Sequence, residues 1–209
     1  MKLYFSPFAC SLSPHIVAHE AGIPLGLVQV DTGTKQLKNT GGDFDGVSDF
    51  WKINPKGYVP ALELDNGEVL TEGPAIVQYL ADQKPDAKLV PAAGTLARYR
   101  VQEMLGYINS ELHKTYSPLF NPKTTPELRA DREAYLRKRY ALIESTLAGK
   151  SYLFGEQFTV ADAYLFTVTN WANFVKLDLS EFPNLVAFQA RVAARPAVQA
   201  AIAAEKPKA

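Results

Sequence analysis

The stretch Asn54-Pro55-Lys56-Gly57-Tyr58-Val59-Pro60-Ala61-Leu62 is the most specific part of this sequence. It leads into a predicted strand, residues 59–64, with a proline just inside its start, where a proline removes a hydrogen bond of the sheet. That position is more natural for a cis Val59–Pro60 bond, which turns the adjoining main-chain carbonyl and N–H groups outward, toward an extended peptide ligand. An edge-strand proline without a ligand explains the same pattern equally well, and both interpretations stand at this point.

Before this stretch, the sequence predicts a strand, a helix and a second strand. Lys2–Phe5 contains aromatic residues that favour strands. Ser13 and Pro14 are typical of the N-cap and first position of a helix, and Gly22 is typical of the residue that follows a helix end. Residues 25–30 form the next strand, and a strand–helix–strand unit of this kind has parallel strands.

After residues 59–64, the Asp65-Asn66-Gly67 sequence predicts a hairpin turn, because Asn and Gly tolerate positive φ. Residues 68–70 form the returning strand, and Gly73-Pro74 begins a helix that runs to about residue 83. Residues 32–49 are rich in Gly, Thr, Asp and Asn and predict a loop, with one weak helix at Trp51. The first part of the chain is therefore predicted to be βαβ-ββα.

The rest of the chain is patterned as helices. Residues 84–94 contain Pro85 and Pro91 with little periodicity and predict a linker. One long helix is expected between Thr125 and Gly149, with an apolar face formed by Leu128, Tyr135, Leu136, Leu142 and Ile143. The predicted division is a βαβ-ββα domain over residues 1–83, a linker over 84–94 and an all-α domain over 95–209.

Proline and threonine mark three further helix starts in this all-α segment. Thr159 is predicted as an N-cap with Asp162 three residues later, a variant of the capping box, so we expect Asp162 to be structural rather than catalytic. Pro183 and Pro196 begin the last two helices.

Composition and charge exclude several classes of protein. Lys plus Arg and Asp plus Glu number 22 each, so the chain lacks the basic excess that drives nucleic-acid binding. The sequence contains no apolar run that approaches the roughly 18 residues of a membrane span. Polar residues and prolines interrupt any signal-peptide core near the N-terminus, which predicts a cytoplasmic protein. These residues are Ser6, Pro7, Ser11, Ser13 and Pro14.

The single cysteine, Cys10, is the strongest candidate for chemistry. A lone cysteine excludes an intramolecular disulfide and a cysteine-rich metal site. Its place between a strand and a helix favours the reactive thiolate, because unpaired N–H groups and the positive end of the helix dipole lie there. Cys10 and Ser13 have C-x-x-S spacing, which cannot close its own disulfide and must exchange with a small thiol such as glutathione. This position favours a reactive thiol over a small buried hydrophobe.

Glu72, in Thr71-Glu72-Gly73, places a carboxylate directly before a helix N-terminus. It could hold a ligand ammonium while the helix N–H groups hold a ligand carboxylate, but a favourable interaction with the helix dipole alone is the simpler explanation. His15 and His19 share a helix face, and with no third ligand in the sequence they are expected to be surface histidines rather than a metal pair.

Several motifs together resemble the bacterial beta-class glutathione S-transferases, over essentially the whole chain and in the right order. They are Ser-Pro-Phe-Ala-Cys-Ser ending at Ser11, the stretch from Asn54 to Leu62, Thr71-Glu72-Gly73, Glu111-Leu112-His113-Lys114 and Phe158-Thr159-Val160-Ala161-Asp162-Ala163. The resemblance implies a thioredoxin-like domain followed by an all-α domain, in a homodimer that uses glutathione as co-substrate and no metal.

The resemblance also implies roles for individual residues. Catalytic roles fall to Cys10, Ser11 and His113, with His113 and Lys114 projecting toward the sulfur and the electrophile. The glutathione-binding residues are Lys35 for the glycyl end, Val59 and the cis Pro60 for the cysteinyl part, Glu72 and Gly73 for the γ-glutamyl end, and Lys114.

Three features depart from the family pattern. Phe5 lacks the hydroxyl that members often carry there, so Cys10 or Ser11 must serve in its place. Gly106 replaces an asparagine that often supports glutathione, which lowers the expected affinity. The loop over residues 40–50 is longer than usual and would reshape the entrance of the site.

Two chemistries and one non-catalytic function remain open. The chain conjugates glutathione to small apolar electrophiles, or it carries out thiol–disulfide exchange or peroxide reduction through Cys10. A ligand-carrying protein on the same fold is the third possibility, because fold does not determine function. The identity of the physiological electrophile is not encoded in any of these motifs.

Overall fold

The computed structural model describes residues 1–38 and 49–206, and the chain divides into two compact units. The first unit contains Met1–Leu89 and the chain from Pro196 onward, and the second contains Val90–Arg195. The predicted division into domains 1–83 and 95–209, with a linker over 84–94, stays a prediction. Of the long loop predicted over residues 40–50, residues 40–48 lie outside the described residues.

The secondary structure follows the predicted order. The strands are β1 (Lys2–Phe5), β2 (Gly26–Val30), β3 (Leu37–Lys38), β4 (Ala61–Glu63) and β5 (Val69–Thr71). The helices are α1 (Leu12–Glu20), α2 (Gly73–Asp82), α3 (Leu96–Tyr107), α4 (Lys114–Tyr116), α5 (Pro126–Leu147), α6 (Val160–Thr169), α7 (Trp171–Val175), α8 (Pro183–Ala193) and α9 (Pro196–Glu205). Short 3-10 turns cover Phe50–Lys52, Pro85–Ala87 and Ser117–Phe120, and a π-helical segment covers Ile108–His113.

The first unit contains a five-stranded sheet in the order β3-β2-β1-β4-β5. Strands β1 and β2 are parallel, and the remaining pairs are antiparallel. This confirms the thioredoxin-like βαβ-ββα arrangement. The short strand β3 was not predicted, because its two residues lie in a segment whose composition is typical of a loop.

The sheet register assembles a hydrophobic cluster next to the residues expected to bind ligand. Tyr4 pairs with Val28 on one side and with Ala61 on the other, so their side chains form a row across three strands. Val30, Phe50 and Val59 complete this cluster. The Val59 side chain packs in this cluster, so the backbone at Val59 is held against the core of the first unit.

Helix α1 begins earlier than the sequence predicted. It starts at Leu12 with Ser11 as N-cap, because the N–H groups of Leu12 and Ser13 already donate to the carbonyls of Ala9 and Cys10. Pro14 lies in the first turn, where helical N–H groups have no partner within the helix. The end is as predicted, with Gly22 at φ 65° just beyond the helix.

In the second unit, α6 is buried at all ten positions, as expected of a central helix. Its predicted capping box is confirmed. The prediction for α5 was partly wrong: Leu136 and Ile143 are buried, but Leu128 and Leu142 are exposed. The buried face of α5 also includes Tyr140 and Leu147, which continue the helical spacing from Leu136.

Within the described residues, every helix is too short or too polar to cross a membrane.

Candidate functional site

Cys10 lies at the end of the loop that joins β1 to α1, directly before the N-cap Ser11. Its Sγ donates a hydrogen bond to the Val59 carbonyl oxygen at 3.1 Å. Cys10 is half-buried. The Val59–Pro60 bond is cis, which confirms the first of the two interpretations of this motif and the one that the family resemblance implies. The structure therefore brings the reactive-thiol candidate and the main-chain carbonyl expected to bind ligand into direct contact.

Ser11 is completely buried, and its hydroxyl is engaged within the same loop. The Oγ atom donates to the Ser6 carbonyl and accepts from the Ser6 N–H, both at 3.1 Å. A hydroxyl has a single proton to donate. The catalytic role expected for Ser11 would therefore require this bond to break, whereas its observed bonds fix the path of the loop to Cys10.

The segment that leads to Pro60 is shaped by two short-range features. The Asn54 side chain, which is 2% exposed, donates to the Tyr58 carbonyl and accepts from the Lys56 N–H. Gly57 has φ 66°, and a Cβ atom there would approach the Trp51 ring to 2.5 Å. Glycine is required at this position both by its conformation and by the ring that covers it.

Glu72 has an unusual backbone conformation, φ 70° and ψ 113°, immediately before α2. A non-glycine residue in this region costs about 1–3 kcal/mol, and such strain clusters at functional sites. Its carboxylate binds the Lys56 ammonium at 2.7 Å, and both side chains are more than half exposed. An exposed pair of this kind contributes little to stability, so an incoming cation can compete for it.

Gly73 and Pro60 are neighbours, although they belong to different motifs. A Cβ atom built on Gly73 would lie 3.9 Å from the Pro60 ring. Lys35 lies before β3 with φ 60°, donating its N–H to the Asp31 carbonyl and accepting from the Phe50 N–H. The first unit therefore places Pro60 beside Gly73, and it ties the Lys35 backbone to the turn that contains Phe50.

His113 and Lys114 lie in the second unit, where the π-helical segment passes into α4. His113 Nδ1 is 2.6 Å from the Tyr164 hydroxyl, which donates to Asn109 Oδ1 at 2.9 Å. The Trp171 ring meets the imidazole edge-on, with 4.8 Å between centroids. Short π-helical segments are often found at functional sites. Lys114 is exposed.

His15 is not the surface histidine that the sequence led us to expect. It is 3% exposed, and its Nδ1 lies 3.1 Å from Glu205 Oε1. His19 is exposed, and partial burial together with the charge of His15 lowers its pKa. The correction has a tertiary cause, since α9 packs on α1 and covers one side of it. Among the described residues, no group of three His, Cys, Asp or Glu side chains could hold a metal ion.

Sequence reasoning missed the partners of the candidate residues. Glu205, Tyr164 and Asn109 stood in no motif singled out for chemistry, and Lys56 was only part of the string before Pro60. Only the charge of Lys56 near the acidic Glu72 gave a hint, and their separation of 16 residues hides the pairing until the sheet forms.

The comparisons with known proteins agree over nearly the whole chain. Family models described as "Glutathione S-transferase, N-terminal domain" and "Glutathione S-transferase, C-terminal domain" match residues 5–83 and 107–196. The chain is 46% identical to glutathione S-transferase GstA of Escherichia coli O157:H7, covering 98% of both proteins.

Solved structures are also similar to this chain over nearly its whole length. A ternary complex of BphK, a bacterial GST, is 50% identical with a TM-score of 0.92, covering 98% of this chain and 99% of that one. A bacterial beta-class glutathione S-transferase of Sphingomonas chungbukensis is 45% identical with a TM-score of 0.90, covering 98% of each chain. A sphingomonad glutathione S-transferase complexed with glutathione is 43% identical, also with a TM-score of 0.90 and 98% of each chain covered.

Proposed function

This chain belongs to the bacterial glutathione S-transferase family, and on that premise we propose that it conjugates reduced glutathione to small apolar electrophiles in the cytoplasm. The observation that carries the proposal is the contact of Cys10 Sγ with the Val59 carbonyl. Val59 is the residue to which the family resemblance assigns the cysteinyl part of glutathione. A tripeptide bound there brings its own sulfur to Cys10 and to the N-terminus of α1.

The remaining contacts of the tripeptide follow the extended main chain on either side of Pro60. The Glu72 carboxylate already binds an ammonium group, that of Lys56, and a γ-glutamyl ammonium has the same chemistry. The N-terminus of α2, at Gly73, suits the γ-glutamyl carboxylate through the positive end of its dipole. Pro74 has no N–H, and the N–H groups of Ala75 and Ile76 already donate to the Glu72 carbonyl. Lys35 supplies a cation for the glycyl carboxylate.

In the conjugation step, the glutathione thiol loses its proton to solvent or to a nearby base. The thiolate then attacks the electrophilic carbon, so that a C–S bond forms and the leaving group departs with its electron pair. The positive end of the α1 dipole lowers the free energy of the thiolate. The unpaired N–H groups expected from the sequence are not part of this effect, because the N–H groups of Leu12 and Ser13 already donate to the carbonyls of Ala9 and Cys10. His113 and Lys114 are proposed to take part in the same reaction, with the His113 imidazole oriented by Tyr164.

Thiol–disulfide exchange is the second candidate, and the half-buried Cys10 thiol favours it. Attack of the Cys10 thiolate on oxidised glutathione forms a mixed disulfide and releases one glutathione thiolate. Each chain has no second cysteine, so a further glutathione must resolve the mixed disulfide.

The experiment that tests the proposal measures glutathione binding by calorimetry and turnover with an activated aryl halide. We expect saturable glutathione binding and glutathione-dependent turnover. Binding without turnover on any electrophile would favour the ligand-carrying function. Failure to bind glutathione would overturn both proposed chemistries.

A homodimer is part of the proposal, on the basis of the family resemblance. Sedimentation should give twice the chain mass of 23.0 kDa. A monomer with full activity would contradict the dimer.

A further inference from the structure

The carboxylate of Glu205, at the end of α9, is buried beneath the loop that leads to Cys10. Glu205 is 2% exposed, and both of its oxygens have a partner within the first unit. Oε1 lies 3.1 Å from His15 Nδ1, and Oε2 accepts the N–H of Phe8 at 2.9 Å. A buried carboxylate is tolerated only when it is paired in this manner, so these two contacts fix where the carboxylate lies.

Phe8, whose N–H donates to this carboxylate, has a strained backbone conformation. It is the third residue of the turn from Ser6 to Ala9, which is closed by a hydrogen bond from the Ala9 N–H to the Ser6 carbonyl. Its φ is 59°, in the left-handed region that favours glycine because a Cβ atom is crowded there. A phenylalanine keeps this conformation only if its surroundings hold it, and a charged acceptor for its N–H does so.

From these contacts we infer that Glu205 is a positioning residue for Cys10. The inference rests on the proposed function in one respect, that Cys10 is the reactive thiol of the proposed thiol–disulfide exchange. The loop is fixed from one side by the Ser11 hydroxyl and from the other by Glu205, which also binds His15 on α1. Cys10 lies two residues after Phe8, so the conformation of Phe8 sets the direction in which the Cys10 thiol points toward the Val59 carbonyl.

The physical consequence is specific. Without the Glu205 carboxylate, Phe8 loses the acceptor that offsets its left-handed conformation, and the turn relaxes toward negative φ. The Cys10 thiol then leaves its position against the Val59 carbonyl. Glycine at position 8 has no Cβ atom to crowd, so it holds the same turn without help from Glu205.

The test compares amide hydrogen exchange in residues 6–11 for wild type, Glu205→Ala and Lys206→Ala. Lys206 is the adjacent exposed residue and serves as the matched control. Exchange in the loop should become about tenfold faster or more in Glu205→Ala, because a buried charge-assisted bond is lost, and should be unchanged in Lys206→Ala. The rate at which oxidised glutathione glutathionylates Cys10 should fall about tenfold in Glu205→Ala.

The rescue variant separates positioning from a general loss of packing. In Phe8→Gly/Glu205→Ala, the rate of Cys10 glutathionylation should return to within about threefold of wild type, because a glycine holds the turn without the Glu205 contact. A helix-packing role for Glu205 would not be rescued by a glycine in the loop. Unchanged loop exchange in Glu205→Ala, or absence of rescue, would overturn the inference.

If Glu205→Ala does not fold, Glu205→Gln keeps the side-chain volume and is measured in the same way. A neutral amide oxygen is a weaker acceptor than a carboxylate, so faster loop exchange is still expected, and unchanged exchange overturns the inference. A wild-type Cys10 that oxidised glutathione does not modify would overturn the proposed thiol–disulfide exchange instead, and the amide exchange measurements would still decide whether Glu205 positions the loop.

Discussion

His113 Nδ1 lies 2.6 Å from the hydroxyl oxygen of Tyr164, and that hydroxyl donates its proton to Asn109 Oδ1. Because a tyrosine hydroxyl has one proton, the bond to His113 must use an Nδ1–H of the imidazole. This arrangement fixes the ring orientation and the tautomer of His113. In many enzymes a further hydrogen-bonding residue orients the catalytic histidine in the same manner.

Replacing Tyr164 tests this relationship. Tyr164→Phe should lower kcat for conjugation by about three- to tenfold, because the imidazole loses the group that orients it. His113→Ala should lower kcat at least as much, and the double variant should be no worse than His113→Ala alone, because the two residues act as a unit. Steady-state kinetics on the three variants gives the coupling. Additive losses would show that Tyr164 acts independently of His113.

Cys10 should accept one glutathionyl group per chain from oxidised glutathione, and dithiothreitol should remove it. No second cysteine exists to displace it within the chain. Cys10→Ala should abolish thiol exchange and leave partial conjugation activity, since the N-terminus of α1 remains in place. Intact-protein mass spectrometry measures the adduct. A cysteine that reacts only after denaturation would contradict the thiol-exchange chemistry.

Glu72 should contribute to glutathione affinity through its charge. Glu72→Gln should weaken glutathione binding about tenfold or more, because a charge-assisted hydrogen bond to the γ-glutamyl ammonium is lost. The stability should change by less than about 0.5 kcal/mol, because the pair with Lys56 is exposed. Glu68→Gln, on the exposed hairpin of the same unit, is the matched control for calorimetry. Equal affinities for the two variants would remove Glu72 from the binding site.

Asp162 should matter for stability rather than for binding. Its buried carboxylate accepts hydrogen bonds from the Leu153 N–H and from both the N–H and the hydroxyl of Thr159, each at 2.8 Å. Asp162→Ala leaves these donors unpaired and should lower the free energy of unfolding by about 2–4 kcal/mol. Thermal or denaturant unfolding measures the loss. A large loss of glutathione affinity at unchanged stability would show that Asp162 is a site residue instead.

Asp162 should also give the stability a recognisable dependence on pH. Burial raises its pKa to about 6, against the hydrogen bonds from Leu153 and Thr159, which lower it. The unfolded value is about 3.9, so between about pH 4 and pH 6 the folded chain binds more protons than the unfolded chain. This contribution to the free energy of unfolding therefore falls as pH rises through that window and is constant above it. In Asp162→Asn this part of the pH dependence should be absent, and its persistence would assign it to another group.

The sequence alone determined the features that depend on residues close together in the chain. The capping box of Thr159 and Asp162, the hairpin at Asn66 and the helix end before Gly22 all follow from local backbone chemistry. Their causes are caps and positive φ, which act over a few residues, whereas the motif at Pro60 left the cis bond and an edge-strand proline equally open. The order of strands and helices followed from the same signals together with periodicity.

Only the tertiary structure decided which groups meet across long separations. His15 and Glu205 are 190 residues apart, and His113 and Tyr164 are 51 apart, so no spacing rule links them. The Ser11 hydroxyl meets the Ser6 backbone only five residues away, but this contact too was missed, because it forms only when the β1–α1 loop folds back on itself. A side chain's partners depend on which surfaces pack together, and packing is a property of the whole unit rather than of a local pattern.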